Sequence, residues 1–143
     1  MISYFTEDTS FKFTGKMACN SWIKEVINNL DFNNSGLKSG DINIIFCSDN
    51  YLLKLNNQYL KHNHYTDVIT FDSSDNKRIS GDIFISIDSV KYNSRELKCE
   101  FIDELHRVII HGVLHLLNFN DSNDQQRIQM REREDKALRM RKV

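Results

Sequence analysis

His111 and His115 stand four residues apart in the segment HGVLHLLNFND, residues 111 to 121. Four residues turn a helix by one revolution plus about 40°, so both imidazoles point the same way and can hold one cation between them. A catalytic zinc-like ion takes three protein donors and keeps a further position for water. Asp121 is the candidate third donor, with Asp124 the alternative, provided that the helix stops soon after His115. Asn118 can supply that stop, because Asn tolerates the left-handed backbone that closes many helices.

Neighbouring residues narrow the chemistry. Zinc peptidases of the HExxH kind place a glutamate directly after the first histidine to serve as general base; here that position is Gly112, which disfavours that class. The water would have to be activated by the ion itself or by a residue from elsewhere in the chain. His106 points about 160° away from the pair and is not expected to be a ligand. Glu104 shares the stripe of His111 and His115 but lies two turns earlier, too far along the axis for the same ion. It reads first as a solvated acid near the helix start, with a role beside the site or toward substrate as the alternative.

The elements that must position these groups can be read from periodicity. Residues 101 to 117 are apolar nearly all round, which predicts a buried helix. Before it, residues 2 to 5 read as a strand, with an apolar-alternating piece near Phe11 to Phe13 extending the first layer. Residues 16 to 30 carry Met17, Trp22, Ile23, Val26, Ile27 and Leu30 at helical spacing, with Trp22 as a core anchor. DINIIFCS, residues 41 to 48, is a strong strand, and Ser48 can cap a helix running to about Leu60. TDVITFD at 66 to 72 and ISGDIFISI at 79 to 87 read as a hairpin, with Val68, Thr70, Ile83 and Ile85 facing the core. A short helix at 88 to 98, with Asp88 as its cap, leads into the histidine helix, and a last helix of mixed charge spans 124 to 141. Its apolar stripe is narrow, and its terminal Lys136, Arg139, Arg141 and Lys142 read as a solvated basic end or, alternatively, a phosphate contact. Together these predict an α+β fold: a single domain over 1–143, with a mixed four- or five-stranded sheet packed with helices and a buried central helix carrying the histidine pair.

HGVLHLLNFND resembles the signature of the YbeY family of rRNA maturation factors, whose usual pattern is HGxLHLxGYDH with three histidine ligands. LNNQYLKHNHYTDVITF, residues 55 to 71, is similar to the family segment ending TDVLSF; SGDIFIS, residues 80 to 86, is similar to its GDIxIS strand; MREREDKAL is similar to its closing helix. The resemblance implies a zinc-dependent endoribonuclease that cuts single-stranded RNA, matures the 3′ end of small-subunit (16S) rRNA and assists ribosome quality control. Its implied partners are that rRNA and the small ribosomal subunit. Alternatives from other classes are a ribosome-assembly RNA-binding factor with a structural metal, and a metallohydrolase with another substrate.

Departures from the pattern carry their own consequences. Asp121 stands where the family has its third histidine, Asn118 where it has glycine, Asn120 where it has aspartate, and Leu60 where many members have an arginine implicated in activity. A carboxylate donor cancels one unit of a divalent ion's charge and hardens the site, so one zinc ion is expected with wider tolerance for manganese and similar ions. His62 and His64, two apart on extended chain, can face one way and join a metal site, though an exposed loop is the simpler reading. If the fold follows the family, that loop borders the cleft, and Lys61, His62 and His64 become the candidates for phosphate contacts.

Composition sets the outer bounds. With 143 residues, 40% hydrophobic and 27% charged, the chain is an ordinary globular sequence long enough to bury a core. A net charge of −1 gives no bulk attraction to nucleic acid, so contacts with RNA must come from local basic patches. Cys19, Cys47 and Cys99 are too few and too scattered for a disulfide framework. No signal peptide or apolar span is visible, which predicts a cytoplasmic protein without a membrane partner. The sequence fixes no oligomeric state.

Overall fold

The computed structural model describes residues 1–60 and 66–142. Four strands form one mixed sheet: β1 (Ile2–Glu7), β2 (Lys38–Cys47), β3 (Val68–Asp72) and β4 (Arg78–Ser86) lie in the order β1-β2-β4-β3. β1 pairs parallel with β2, and β2 parallel with β4, while β3 and β4 form the expected antiparallel hairpin. Parallel pairs need crossovers. The first is α1 (Lys16–Asn28), and the second contains α2 (Asp49–Leu55) with one π-helical turn at Asn56–Leu60, then the hairpin strand β3. After the sheet come α3 (Ile87–Glu96), α4 (Phe101–Leu116) and α5 (Asp124–Arg139). Lys61, His62 and His64 lie outside the described residues.

The sheet is unequally covered. Alternation along β4 turns Ile79, Ile83 and Ile85 to the main face, where they join Ile23, Val26 and Ile27 of α1 and Leu105, Ile109 and Val113 of α4 in one buried cluster. On the other face Cys47, Leu52 and Ile69 make a small second cluster with Tyr51 and Phe84. In β3, Val68 and Thr70 share the expected face, paired with Ile85 and Ile83, and Val68 packs on the main cluster, yet both are only partly covered, whereas Ile69 is buried in the second layer. A two-period pattern shows which residues share a face, not which face is covered more deeply.

Other expectations shift for local reasons. Phe11 and Phe13 form no strand, yet their rings pack on Phe46 with centroids 5.2 and 5.1 Å away. Met17, in the first turn of α1, and Leu30, in the turn beyond its last residue Asn28, are 85% and 77% exposed. Trp22 is the anchor expected, its Nε1 donating to the Ala137 carbonyl at 2.8 Å and so tying α1 to α5. The cap of α3 is Ser86, whose Oγ accepts from the Ser89 amide; Asp88 instead accepts from the Asp49 amide at 2.9 Å. Of the four basic residues at the end of α5, three form ion pairs: Lys136 with Asp31, Arg141 with Asp103 and Lys142 with Glu25.

α4 sits unusually close to the sheet. A Cβ built on Gly112 would fall 2.6 Å from Ile83 Cγ2, inside any tolerable contact. Glycine at this position therefore sets how near the histidine helix lies to β4. Its neighbours on either side, His111 and Val113, are held at that depth as a result.

Candidate metal centre

α4 is closed by a six-to-one and five-to-two pair of hydrogen bonds. The Phe119 amide donates to the Leu114 carbonyl at 3.1 Å and the Asn118 amide to the His115 carbonyl at 2.9 Å. Between them Asn118 adopts φ 70°, the left-handed conformation its side chain tolerates. Two results follow from that turn. The Phe119 carbonyl comes to rest 3.0 Å from His115 Nδ1, and the chain reverses so that Asp121 comes back over the pair.

His111 Nε2, His115 Nε2 and Asp121 Oδ2 converge. The two nitrogens are 2.9 Å apart, and the carboxylate oxygen lies 3.3 and 3.4 Å from them. Donors about 2.0–2.1 Å from a tetrahedral ion are separated by roughly 3.3 Å. The spacing suits one small ion. Tautomers point the same way: His111 Nδ1 lies 2.7 Å from Glu134 Oε2, and His115 Nδ1 faces a carbonyl, so both Nδ1 atoms carry the hydrogen. Both Nε2 lone pairs are thereby left aimed at each other and at a carboxylate, an arrangement that calls for a cation between them.

Electrostatics agree. Burial pulls the His111 pKa down, but the hydrogen bond and charge of Glu134, with Asp121 and Asp67 beyond it, more than reverse this and raise it. An environment that favours a proton on His111 favours other cations there. Burial together with the neighbouring His111 lowers the pKa of His115, which keeps its ring neutral and its lone pair available.

Glu134 on α5 is the residue that the sequence reading missed. It is 5% exposed, and while Oε2 holds His111, Oε1 accepts from Arg107 Nη1 at 3.1 Å. Arg107 in turn pairs with Asp135 at 2.8 Å. The need of a buried ligand histidine for an acceptor at its second nitrogen was the available signal. Glu104 also departs from expectation. It is 5% exposed rather than solvated, its Oε1 has no hydrogen-bond partner, and burial raises its pKa against the pull of Arg107. Asp124 is not gathered into the site; it is 94% exposed and pairs with Arg127. His106 lies elsewhere as expected, its Nδ1 accepting from Arg141 Nη1 at 2.8 Å.

A cleft of about 280 Å³ opens beside His111 and Asp121, lined also by Asp67, Glu104, Arg107, Arg127, Arg131 and Glu134. Burial, with the charges of Glu134 and Asp121, lifts the Asp67 carboxyl above the usual range despite the opposing pull of His111. Among the described residues, only three His, Cys or carboxylate side chains gather at the donor cluster. The described residues thus offer three donors to an ion there, and the cleft lies beside them. No helix among the described residues is long and apolar enough to cross a membrane.

Comparison with known proteins gives the same picture. The sequence model of the family described as "Endoribonuclease YbeY" matches residues 4–142. A protein named Endoribonuclease YbeY from Parabacteroides distasonis is 45% identical over 96% of this chain and 93% of its own. Another of that name from Phocaeicola vulgatus is 46% identical over 96% of each chain. The solution structure of TM1509 from Thermotoga maritima superposes with a TM-score of 0.60 at 26% identity, covering 98% of this chain and 88% of the other.

Proposed function

Because the chain belongs to the YbeY family of endoribonucleases, we propose that it is a metal-dependent hydrolase that cuts single-stranded RNA within the chain, with His111, His115 and Asp121 as ligands of one divalent ion. The observation that carries this reading is the convergence of three lone-pair donors beside an open cleft, with no fourth protein donor among the described residues. Zinc is the expected ion, and the carboxylate of Asp121 widens tolerance toward manganese. The RNA is the 3′ region of small-subunit rRNA, met on the small ribosomal subunit, and the whole chain acts as one domain.

When bound, the ion supplies a Lewis acid for a phosphate oxygen and acidifies a water. The protein does the rest. Glu134 and the Phe119 carbonyl fix the ring planes of His111 and His115. Asp67 borders the same cleft, where burial raises its carboxyl pKa and its Oδ2 accepts from Asn93 Nδ2 at 3.4 Å. Lys61, His62 and His64 remain candidates for phosphate contacts. A purely structural ion in an assembly factor fits less well, since structural zinc is usually closed by four protein donors.

The test is cleavage of single-stranded RNA by metal-loaded protein beside its His115→Ala variant, with metal content measured on both. Loss of cutting together with loss of metal is expected. Equal cutting by a folded variant would sink the reading. The end groups then define the chemistry, since a 2′,3′-cyclic phosphate marks attack by the ribose hydroxyl rather than by water.

A further inference from the structure

Two cations on α5 border the cleft without touching a donor atom, although Arg127 Nη1 also donates to the backbone carbonyl of Asp121 at 3.4 Å. Arg127 and Arg131 lie one helical turn apart on α5, about 6 Å along its axis and on one face, and both border the cleft that contains His111 and Asp121. Their side chains are 55% and 51% exposed. Other cations nearby are engaged elsewhere. Arg107 is bound to Glu134 and Asp135, Arg133 lies over the Phe119 ring at 4.1 Å, and Arg141 holds Asp103 and His106. By contrast, the one carboxylate within ion-pair distance of Arg131 among the described residues is Glu134, at 3.9 Å, whose Oε1 Arg107 already holds; the more distant Glu104 feels the Arg131 charge across the cleft. Arg127 pairs with the fully solvated Asp124, a surface contact worth little and easily exchanged for another anion.

The charge of the cleft makes these two side chains matter. Four carboxyl groups, Asp67, Glu104, Asp121 and Glu134, border it, and a polyanion approaching such a surface is repelled unless cations face it. A guanidinium presents a planar fork that matches phosphate oxygens. The rise between Arg127 and Arg131, about 6 Å, is close to the separation of neighbouring phosphates along a single strand, and both side chains border the cleft that reaches His111 and Asp121. We propose that Arg127 and Arg131 form a phosphate-gripping wall, holding the backbone of single-stranded RNA on either side of the bond to be cut. The role assigned to the RNA rests on the endoribonuclease reading above.

Two double variants test it, R127A/R131A and the conservative R127K/R131K. Both sites are exposed, so folding is not at stake. Kinetics of RNA cleavage by the metal-loaded proteins would be measured beside anisotropy titrations with a short 2′-O-methyl single-stranded RNA at several salt concentrations. For the alanine variant KM and Kd are expected to rise about tenfold, with all proteins compared at equal metal occupancy because Arg127 also donates to the Asp121 carbonyl. The salt slope should fall by about 1.4, near 0.7 for each of two phosphates, and the lysine variant should recover most of the binding. If Kd and the slope do not move while the wild type cuts RNA, the arginine wall is overturned and the nuclease reading stands. If binding depends on the arginines but no protein cuts, the wall stands and the nuclease reading fails.

Discussion

Glu134 is the side chain on which the donor set depends most without itself being a donor. Its carboxylate accepts from His111 Nδ1 and from Arg107 at once, fixing a ring that would otherwise rotate about its χ angles. Glu134→Gln keeps the shape but removes the charge, and an affinity loss of roughly 10–100-fold for zinc is expected. Competition with a chromophoric chelator would measure it; an unchanged affinity would reduce Glu134 to a packing role. Asp121→His asks the complementary question. Replacing the carboxylate with an imidazole should narrow metal preference toward zinc, so that manganese no longer competes in mixed loading, whereas the wild type is expected to take both. The histidine pair and Asp121 were legible in the sequence because one helical turn and one reversal connect them. Glu134 was not, since it meets His111 across 23 residues and a different helix. Glu104 was misread for a related reason: position near a helix start suggests solvent, and only tertiary packing buries it.

At the scale of elements, the site is held by how α4 meets β4 and by how α4 ends. Gly112→Ala would drive a methyl group into Ile83, at a cost of roughly 1–3 kcal/mol and a fall in Tm of about 3–10 °C. Because the residue adjoins His111, zinc affinity should fall with it. Calorimetry on the metal-free and metal-loaded variant separates the two effects. A variant as stable as the wild type would mean that α4 can lift from the sheet without penalty. In the sequence Gly112 signalled only the absence of a catalytic glutamate; its packing role emerges once α4 is laid on Ile83. The end of α4 was better written. Asn118 marked the stop, and it takes the left-handed conformation at φ 70°. Ser86 displaced Asp88 as the cap of α3 because its hydroxyl lies three residues before the amide it accepts from, a one-turn distinction that composition does not resolve.

At the scale of the whole molecule, the alternation of strand and helix foretold an α+β fold with a mixed sheet, and four strands realise it. What pattern left open was which helices share a layer, and here a polar contact takes part. His106 on α4 is 6% exposed, lies 5.4 Å from Trp22 of α1 between ring centroids, and accepts from Arg141 beyond the end of α5. Three helices meet at one neutral imidazole. Burial, helped by the Arg141 charge and opposed by Asp103, lowers its pKa to about 4. An unfolded histidine titrates near 6.5, so between these values the unfolded chain binds a proton that the folded one does not. The neutral ring therefore contributes stability that is complete above about pH 6.5 and lost as pH falls toward 4, about 3 kcal/mol in all. Asp67 and Glu104, whose pKa values burial raises, act in the opposite sense. A difference between proteins is thus more telling than either curve alone. His106→Gln retains an acceptor for Arg141 but does not titrate. In urea unfolding with chelator present, the wild type should lose stability relative to this variant on going from pH 7 to pH 4.5. Parallel curves would show that His106 charges in the folded state, and that the three-helix junction tolerates the cation it is built to exclude.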